Sequence, residues 1–234
     1  MIEIFLIRHG QASFGQPAYD CLSPLGERQA ALLGDYLNKT GNPFDAVYSG
    51  TLKRHVQTAK IALARMNGHG RQDIQFDANF NEFDGSDQVM DGLCAVIRED
   101  PELSEQMKRI HTDHGAIARI FDVAQKARMM PDDEIVRNRE AQQFRDRIGA
   151  ALDNLVSRVG ENKRVAVFTS GGPTAVALRQ TLQTSSDQTI RLGWQLRNTS
   201  MTVLRYHQEQ LWLVLFNCVA HLETHNDPNL ITYI

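Results

Sequence analysis

Three clusters of polar residues in this chain have the residue types that bind and transfer anions. They are Arg8-His9-Gly10, the stretch from Ser49 to Thr58 (SGTLKRHVQT), and Thr169-Ser170-Gly171-Gly172. Each cluster follows a short, largely apolar run that predicts a buried β-strand. In open α/β sheets, ligands bind at the carboxyl ends of the strands, where the free N–H groups and the dipole of the following helix favour anions. The sequence therefore predicts one anion site built from three strand ends.

The arginines and the histidine of these clusters suit phosphoryl chemistry. The planar guanidinium of Arg8 is able to hold two phosphate oxygens while His9 presents a ring nitrogen to phosphorus, so that attack would give a phosphohistidine. Arg54 falls in the predicted first turn of a helix, where the macrodipole disfavours a cation and a bound anion would stabilise it. By itself an Arg-His-Gly tripeptide is more often a surface turn. Together, the three clusters favour a phosphate site.

The elements that must position these clusters alternate between strand and helix. Apolar runs predict strands at residues 2–7, 44–49, 74–76 and 164–169, and a hairpin at 201–206 and 211–216. Start and stop signals predict helices from Pro24 to about Thr40, from Thr51 toward Gly68, over 141–159, and from Ser170 to about Leu182. The pattern is typical of an α/β domain, a mainly parallel sheet flanked by helices, with the hairpin at its edge.

The middle of the chain interrupts this alternation. Residues 79–91 are acidic and rich in turn formers, which predicts a surface loop. Its aspartates, Asp84, Asp87 and Asp91, fit no calcium-loop spacing and are expected to be structural or exposed. The next stretch is permissive for helix, and we interpret residues 92–139, approximately, as a helical cap inserted into a single domain that spans 1–234.

Composition and charge limit the classes of partner. The 234 residues are 42% hydrophobic and carry a formal net charge of −3, so no basic excess indicates a nucleic acid or a membrane as partner. The three cysteines lie far apart without a C-x-x-C pair, which favours reduced thiols that pack. No basic region precedes the first apolar run, and no apolar stretch is long enough to span a bilayer, so we expect a cytoplasmic protein.

Taken in order along the chain, the motifs resemble those of the histidine phosphatase superfamily, which has the phosphoglycerate mutase-like fold. LIRHGQAS, Leu6 to Ser13, followed by LSPLGERQA, Leu22 to Ala30, is similar to the superfamily's opening Arg-His-Gly motif. YSGTLKRHVQTA, Tyr48 to Ala59, resembles the segment with its second phosphate-binding arginine, and NEFDG, Asn81 to Gly85, the segment with its acid. FNCVAHL, Phe216 to Leu222, resembles its closing strand.

The resemblance implies a role for each matching position. His9 would attack phosphorus, and Glu82 would protonate the leaving oxygen and then activate water. The oxygens of the phosphoryl group would be held by four residues, Arg8, Arg54, Ser170 and Gly171. This scheme requires no metal and no cofactor. The alternative interpretation of Glu82 is a solvated loop residue with no part in the reaction.

One motif departs from the family's pattern. Where the family reads Ser-His-Gly-Gly, this chain has Thr169-Ser170-Gly171-Gly172, so Ser170 stands in the place of a second histidine. That histidine donates to the transferred phosphoryl group, and a neutral hydroxyl provides a weaker donor. The departure bears on catalysis more than on binding. It predicts that Ser170→His speeds turnover, provided that the pocket has room for the ring.

The remaining histidines and tryptophans have simpler interpretations. His55 adjoins Arg54, but adjacent positions of a helix point apart, so we expect His55 at the surface. His221 and His225 are expected to be structural or exposed. Trp194 and Trp212 are expected to pack in the core or under the cap.

The resemblance implies a metal-independent phosphomonoesterase that acts on a small phosphorylated metabolite through a phosphohistidine. Two alternatives stay open at the level of sequence. One is a phosphate-ligand binding protein in which catalysis is reduced or lost, and the other is a phosphoglycerate mutase. The substrate is not predicted, because the cap region that would contact it is the part least similar to the family.

Overall fold

The computed structural model describes residues 1–13, 20–40, 43–67, 73–83, 100–102, 105 and 134–233. The loop aspartates Asp84, Asp87 and Asp91 lie outside the described residues, and so does almost all of the predicted cap at 92–139. Among the residues described, no helix combines the length and the hydropathy that crossing a bilayer requires.

A six-stranded mixed sheet forms the centre of the protein. Its strands are β1 (Ile2–Arg8), β2 (Ala46–Ser49), β3 (Ile74–Phe76), β4 (Lys163–Thr169), β5 (Met201–His207) and β6 (Gln210–Cys218). They lie in the order β3-β2-β4-β1-β5-β6. The first four in that order are parallel, whereas β5 runs antiparallel to β1, and β6 antiparallel to β5. The predicted fold, a mainly parallel sheet with a hairpin at its edge, is confirmed.

Helices cover both faces of this sheet. In chain order they are α1 (Pro24–Thr40), α2 (Lys53–Ala64), α3 (Glu134–Val159), α4 (Gly171–Leu182), α5 (Ser186–Gln195) and α6 (Ala220–Glu223). Single 3-10 turns occupy Ala78–Phe80 and Pro228–Leu230. Residues of α3 and α4 share one apolar cluster with β1 and β4, and residues of α1 and α2 share the other. The sheet is therefore the middle layer of three.

The two apolar clusters explain the uninterrupted hydrophobic run of β1. Ile4 and Leu6 belong to the cluster under α3 and α4, whereas Ile7 belongs to the cluster under α1 and α2. A strand buried on both faces needs apolar side chains at successive positions rather than alternate ones. The predicted buried face of α3 is also confirmed, since Ile148 and Leu152 are at most 2% exposed.

The cap of α2 and the exposure of Trp212 differ from the sequence-based expectations. The cap residue of α2 is Leu52 rather than Thr51, and no side chain caps it in the usual position. Trp212, expected to be packed, is 56% exposed. Its strand, β6, is the last of the sheet, and an edge strand has neighbours on one side only.

Candidate active site

The three polar clusters meet at one edge of the sheet, as the sequence predicts. Arg8, the last residue of β1, pairs with Thr169, the last residue of β4. Ser49, which ends β2, pairs with Phe168 of β4. Because these strands are parallel, their carboxyl ends open toward the starts of α2 and α4. The site is therefore a strand-end site flanked by two helix N-termini.

His9 is buried, and its backbone is held from two sides. Its N–H donates to Thr169 O at 2.9 Å, and its carbonyl oxygen accepts from Thr199 N and Asn198 Nδ2, each at 3.2 Å. Its Nδ1 lies 2.7 Å from Gly10 O. A carbonyl oxygen only accepts, so Nδ1 carries the hydrogen and Nε2 is left with a lone pair. The imidazole is thus fixed in the tautomer that a nucleophile needs.

The surroundings of His9 also keep the ring uncharged. Burial lowers the pKa of His9 well below its ordinary value, and the neighbouring cations Arg54 and Arg8 lower the pKa further. A neutral imidazole retains its lone pair at pH values where an exposed histidine is already protonated. Burial and positive charge therefore act together to preserve the nucleophilic form.

Arg54 is 2% exposed and pairs with a carboxylate that sequence reasoning did not identify. Its Nη1 lies 2.8 Å from Asp20 Oδ1, and Asp20 Oδ2 accepts the N–H of Lys53 at 2.9 Å. Asp20 thus supplies part of the negative charge that a cation in the first turn of a helix requires. It also satisfies an N–H at the start of α2. No local pattern in the sequence marks Asp20 for this role.

Arg8 lies beside the start of α4. Its Nη1 donates to Leu196 O, and a Cβ added to Gly171 would lie 3.8 Å from its Nε. The guanidinium of Arg8 is therefore next to the first N–H groups of α4, in the position expected for a residue that binds an anion with them.

His55 is not at the surface, as the sequence-based interpretation expected. It is 0% exposed, and its Nε2 lies 2.5 Å from the hydroxyl oxygen of Ser170, which is 1% exposed. The rings of His9 and His55 are stacked, with centroids 5.6 Å apart and an interplanar angle of 29°. The expectation was wrong because the first turn of α2 is enclosed by the strand ends, so that the adjacent positions Arg54 and His55 are both buried.

The electrostatic state of His55 resembles that of His9. Burial, and then the charge of Arg54, lower the pKa of His55 well below its ordinary value. Its Nδ1 has no hydrogen-bond partner among the described residues, and it faces Gly50, where an added Cβ would lie only 2.3 Å away. His55 is thus a second neutral imidazole in the site, and its packing requires glycine at position 50.

Glu82 reaches the start of α4, at the rim of the site. Its Oε2 accepts the N–H of Gly172 at 3.0 Å, and its Oε1 accepts the N–H of Phe83 at 2.9 Å. Arg147 of α3 fixes the backbone of this segment, since its Nη2 donates to Glu82 O at 3.1 Å and Asn81 O at 3.3 Å. The carboxylate is therefore half-buried and held at the start of α4, and its role as the acid stays a prediction.

The structure thus brings the sequence-predicted residues together at the carboxyl ends of β1 and β4. These are Arg8, His9, Arg54, Glu82, Ser170 and Gly171. It adds Asp20 and His55, and it links His9 to α2 through Gly10, whose N–H donates to Thr58 Oγ1 at 3.0 Å. Two arginines, two neutral imidazoles, two carboxylates and a helix N-terminus form a site suited to binding an anion and attacking it.

Comparison with known families gives one match that spans most of the chain. The model of the histidine phosphatase superfamily (branch 1) matches residues 4–219. A broad-specificity phosphatase of Saccharomyces cerevisiae is 42% identical over 69 residues, which cover 27% of this chain and 30% of that protein. The chain therefore aligns with less than a third of the length of this relative.

Solved structures with the same fold cover nearly the whole chain at low identity. A mutant phosphoserine phosphatase from Entamoeba histolytica in complex with phosphoserine is 19% identical, covers 95% of this chain and all of its own, and has a TM-score of 0.62. A phosphoglycerate mutase from Bacillus anthracis is 18% identical, with 97% of each chain covered and a TM-score of 0.62. An alpha-ribazole phosphatase from Shigella flexneri is 16% identical, covers 93% and 97% of the two chains, and has a TM-score of 0.60.

Proposed function

The chain belongs to the histidine phosphatase superfamily, and on this basis we propose that it is a metal-independent phosphomonoesterase that acts through a phosphohistidine at His9. One observation carries the proposal. The Nδ1 of His9 donates to Gly10 O, which leaves the Nε2 lone pair of a neutral, buried ring beside two arginines. A nucleophile of this kind, next to cations that attract a phosphate dianion, is what attack on phosphorus requires.

In the first half of the proposed reaction, the phosphoryl group passes to His9. Its Nε2 forms a bond to phosphorus as the bond from phosphorus to the ester oxygen breaks. The oxygens of the phosphoryl group are held by Arg8, Arg54, the Ser170 hydroxyl and the N–H of Gly171. Protonated Glu82 gives its proton to the departing alkoxide, which leaves as an alcohol.

In the second half, water removes the phosphoryl group from His9. Glu82, now a carboxylate, takes a proton from the attacking water, whose oxygen bonds to phosphorus. The bond between phosphorus and Nε2 breaks, and its electron pair returns to the imidazole. Inorganic phosphate leaves, and Glu82 is protonated again. The contact of Glu82 with Gly172 N, at the start of α4, supports this pair of roles because it holds the carboxylate beside the phosphate cradle.

The named relatives support a small phosphate ester as the substrate class. They include enzymes named for phosphoserine and alpha-ribazole phosphate, and a phosphatase of broad specificity. The likeness to a phosphoglycerate mutase concerns the fold, and no contact of the described site favours transfer to a second sugar acid over transfer to water. The cytoplasmic location stays a prediction.

Turnover of an aryl phosphate by the wild-type protein and by His9→Ala tests the proposal. We expect hydrolysis by the wild type and a loss of at least about 10³-fold in the variant, since the nucleophile is removed. A wild type that binds inorganic phosphate without turning over the ester would favour the binding-protein alternative. Interconversion of phosphoglycerates with a bisphosphate primer, faster than hydrolysis, would favour the mutase.

A further inference from the structure

The proposed reaction gives no role to the buried ring of His55 or to its hydrogen bond with Ser170. The pair joins the first turn of α2 to the turn between β4 and α4, and its members are 115 positions apart in the sequence. Ser170 occupies the N-cap position of α4, yet its hydroxyl makes no capping hydrogen bond. Among the described residues, the only hydrogen-bond partner of this hydroxyl is Nε2 of His55.

The surroundings of the His55 ring indicate which nitrogen carries its hydrogen. A Cβ added to Gly50 would lie 2.3 Å from Nδ1 of His55. Glycine has a hydrogen in that direction, so its Cα–H lies against Nδ1. An N–H at Nδ1 would meet that C–H and, among the described residues, would have no acceptor. The hydrogen of the neutral ring is therefore assigned to Nε2, which donates to Ser170 Oγ.

Donation from His55 sets the direction of the Ser170 hydroxyl. An oxygen that accepts a hydrogen bond from one side directs its own O–H elsewhere. Ser170 lies at the start of α4, next to Gly171, on which an added Cβ would lie 3.8 Å from Arg8 Nε. The ring of His55 is also stacked on that of His9, at a centroid distance of 5.6 Å. The hydroxyl proton is thereby available to a group held over His9.

We propose that His55 and Ser170 act as one hydrogen-bond donor unit for the transferred phosphoryl group. His55 is the positioning residue and Ser170 the residue that touches a phosphoryl oxygen. The unit supplies from α2 an imidazole that the turn after β4 lacks. This inference rests on the proposed phosphatase function, and it adds His55 to the residues on which turnover depends. Donors of this kind stabilise the charge that develops on the oxygens in the transition state.

The pair changes the expectation for Ser170→His. The sequence alone predicts faster turnover from a restored imidazole, but the Ser170 hydroxyl already lies 2.5 Å from His55 Nε2 and is 1% exposed. A second imidazole at position 170 would compete with His55 for the same space. We therefore expect slower turnover from the single variant Ser170→His, and recovery when His55→Ala is combined with it.

Kinetics with an aryl phosphate test the unit, using His55→Ala, Ser170→Ala and the double variant. Each single change is expected to lower kcat by about 10- to 100-fold with a smaller change in KM. The double variant should be no slower than the slower single variant, because either change removes the same donor. His55→Gln keeps a side-chain N–H and should therefore have a higher kcat than His55→Ala. His225→Ala, which removes an exposed histidine, serves as the control.

Vanadate binding by the same variants gives a readout that does not depend on turnover. We expect the affinity for vanadate to fall roughly tenfold in His55→Ala and in Ser170→Ala, and to fall no further in the double variant. Melting temperatures identify a variant that has merely lost its fold, in which case His55→Gln replaces it. Wild-type kcat and vanadate affinity in folded His55→Ala, or losses that multiply in the double variant, would overturn the unit. A wild type inert toward esters, with the vanadate pattern intact, would contradict the phosphatase proposal alone.

Discussion

At the scale of single residues, the site depends on how neutral and charged groups are combined. Two imidazoles are kept uncharged by burial and by Arg54, while the positive charge of the site resides on Arg8 and Arg54. This division matters because a protonated His9 would lose its nucleophilic lone pair, whereas an arginine stays charged at any pH at which the protein is folded. Arg54 is the more deeply buried of the two candidate phosphate-binding arginines, at 2% exposure.

The affinity for vanadate or inorganic phosphate should therefore fall sharply in Arg54→Ala. Loss of a charge-assisted contact in a buried site is expected to cost about 1.5–3 kcal/mol, and the carboxylate of Asp20 would be left unpaired near the anion. Lys53→Ala is the matched control, since this neighbouring cation has an exposed side chain. Titration calorimetry on both variants measures the difference. Equal losses would mean that a diffuse basic surface, rather than Arg54, attracts the anion.

The residues that sequence reasoning found and those that it missed differ in one physical respect. Arg8, His9 and Ser170 follow directly from strands, so local pattern alone puts them at the edge where ligands bind. Asp20 and His55 enter the site through contacts across 34 and 115 positions of sequence. His55 had one available signal, its position next to Arg54, but helix periodicity argued against it. Only the enclosure of the first turn of α2 reverses that argument.

At the scale of elements, α3 holds the segment that carries Glu82. Arg147 donates to three backbone carbonyls of this segment, those of Ala78, Asn81 and Glu82, at 3.1–3.3 Å. The ring of Phe83 meets that of Phe144, also on α3, edge to face with centroids 5.6 Å apart. The sequence predicts the buried face of α3 but not the contact of Arg147 with the Glu82 segment. That contact is made to backbone carbonyls, which every residue has, so the pattern of side chains does not indicate it.

Removal of Arg147 should impair the proposed general acid more than the nucleophile. In Arg147→Ala the Glu82 segment loses its anchor, and a displacement of about 1 Å is enough to slow proton transfer substantially. We expect kcat to fall about tenfold with phenyl phosphate, whose leaving group needs a proton, and by much less with p-nitrophenyl phosphate, whose leaving group does not.

The control for this comparison is Arg145→Ala, on the same helix, whose guanidinium bonds to Gln142 instead. It should leave the ratio of the two activities unchanged. Equal losses with both esters in Arg147→Ala would indicate that Arg147 supports the fold of the site as a whole rather than the position of Glu82.

At the scale of the whole molecule, the fold buries three of the histidines in the described part of the chain in a neutral state. Besides His9 and His55, His221 is 1% exposed, and its Nε2 lies 2.9 Å from Thr199 Oγ1. Burial lowers the pKa of His221 to about 3. His221 was expected to be structural or exposed, and its burial agrees with the first of these alternatives. The fold class was predictable from the sequence because the buried strands are apolar throughout, whereas the protonation states depend on burial that only the packed molecule defines.

These buried histidines predict a loss of stability in mild acid. Below about pH 6.5 they take up protons in the unfolded chain but not in the native one, so the free energy of unfolding should fall as the pH is lowered. Each contributes a slope of up to about 1.4 kcal/mol per pH unit, and for His221 the loss continues toward its folded pKa of about 3.

Urea unfolding between pH 7.5 and 5 measures this slope. His221→Gln should lower the slope by up to about 1.4 kcal/mol per pH unit, which corresponds to one proton. His207→Gln, which replaces an exposed histidine, should leave the slope unchanged. A free energy of unfolding that stays constant down to pH 5.5 would show that the three rings are not held neutral.

The central claim is that His9 accepts the phosphoryl group, and rapid quenching of the enzyme with a radiolabelled phosphate ester tests it most directly. The wild type should acquire a label that is lost in acid and retained in base, because a phosphoramidate hydrolyses in acid where phosphoserine survives. His9→Ala should acquire none, while Ser170→Ala should still be labelled, at a lower rate. A label that survives acid, or that is equal in His9→Ala, would contradict the account.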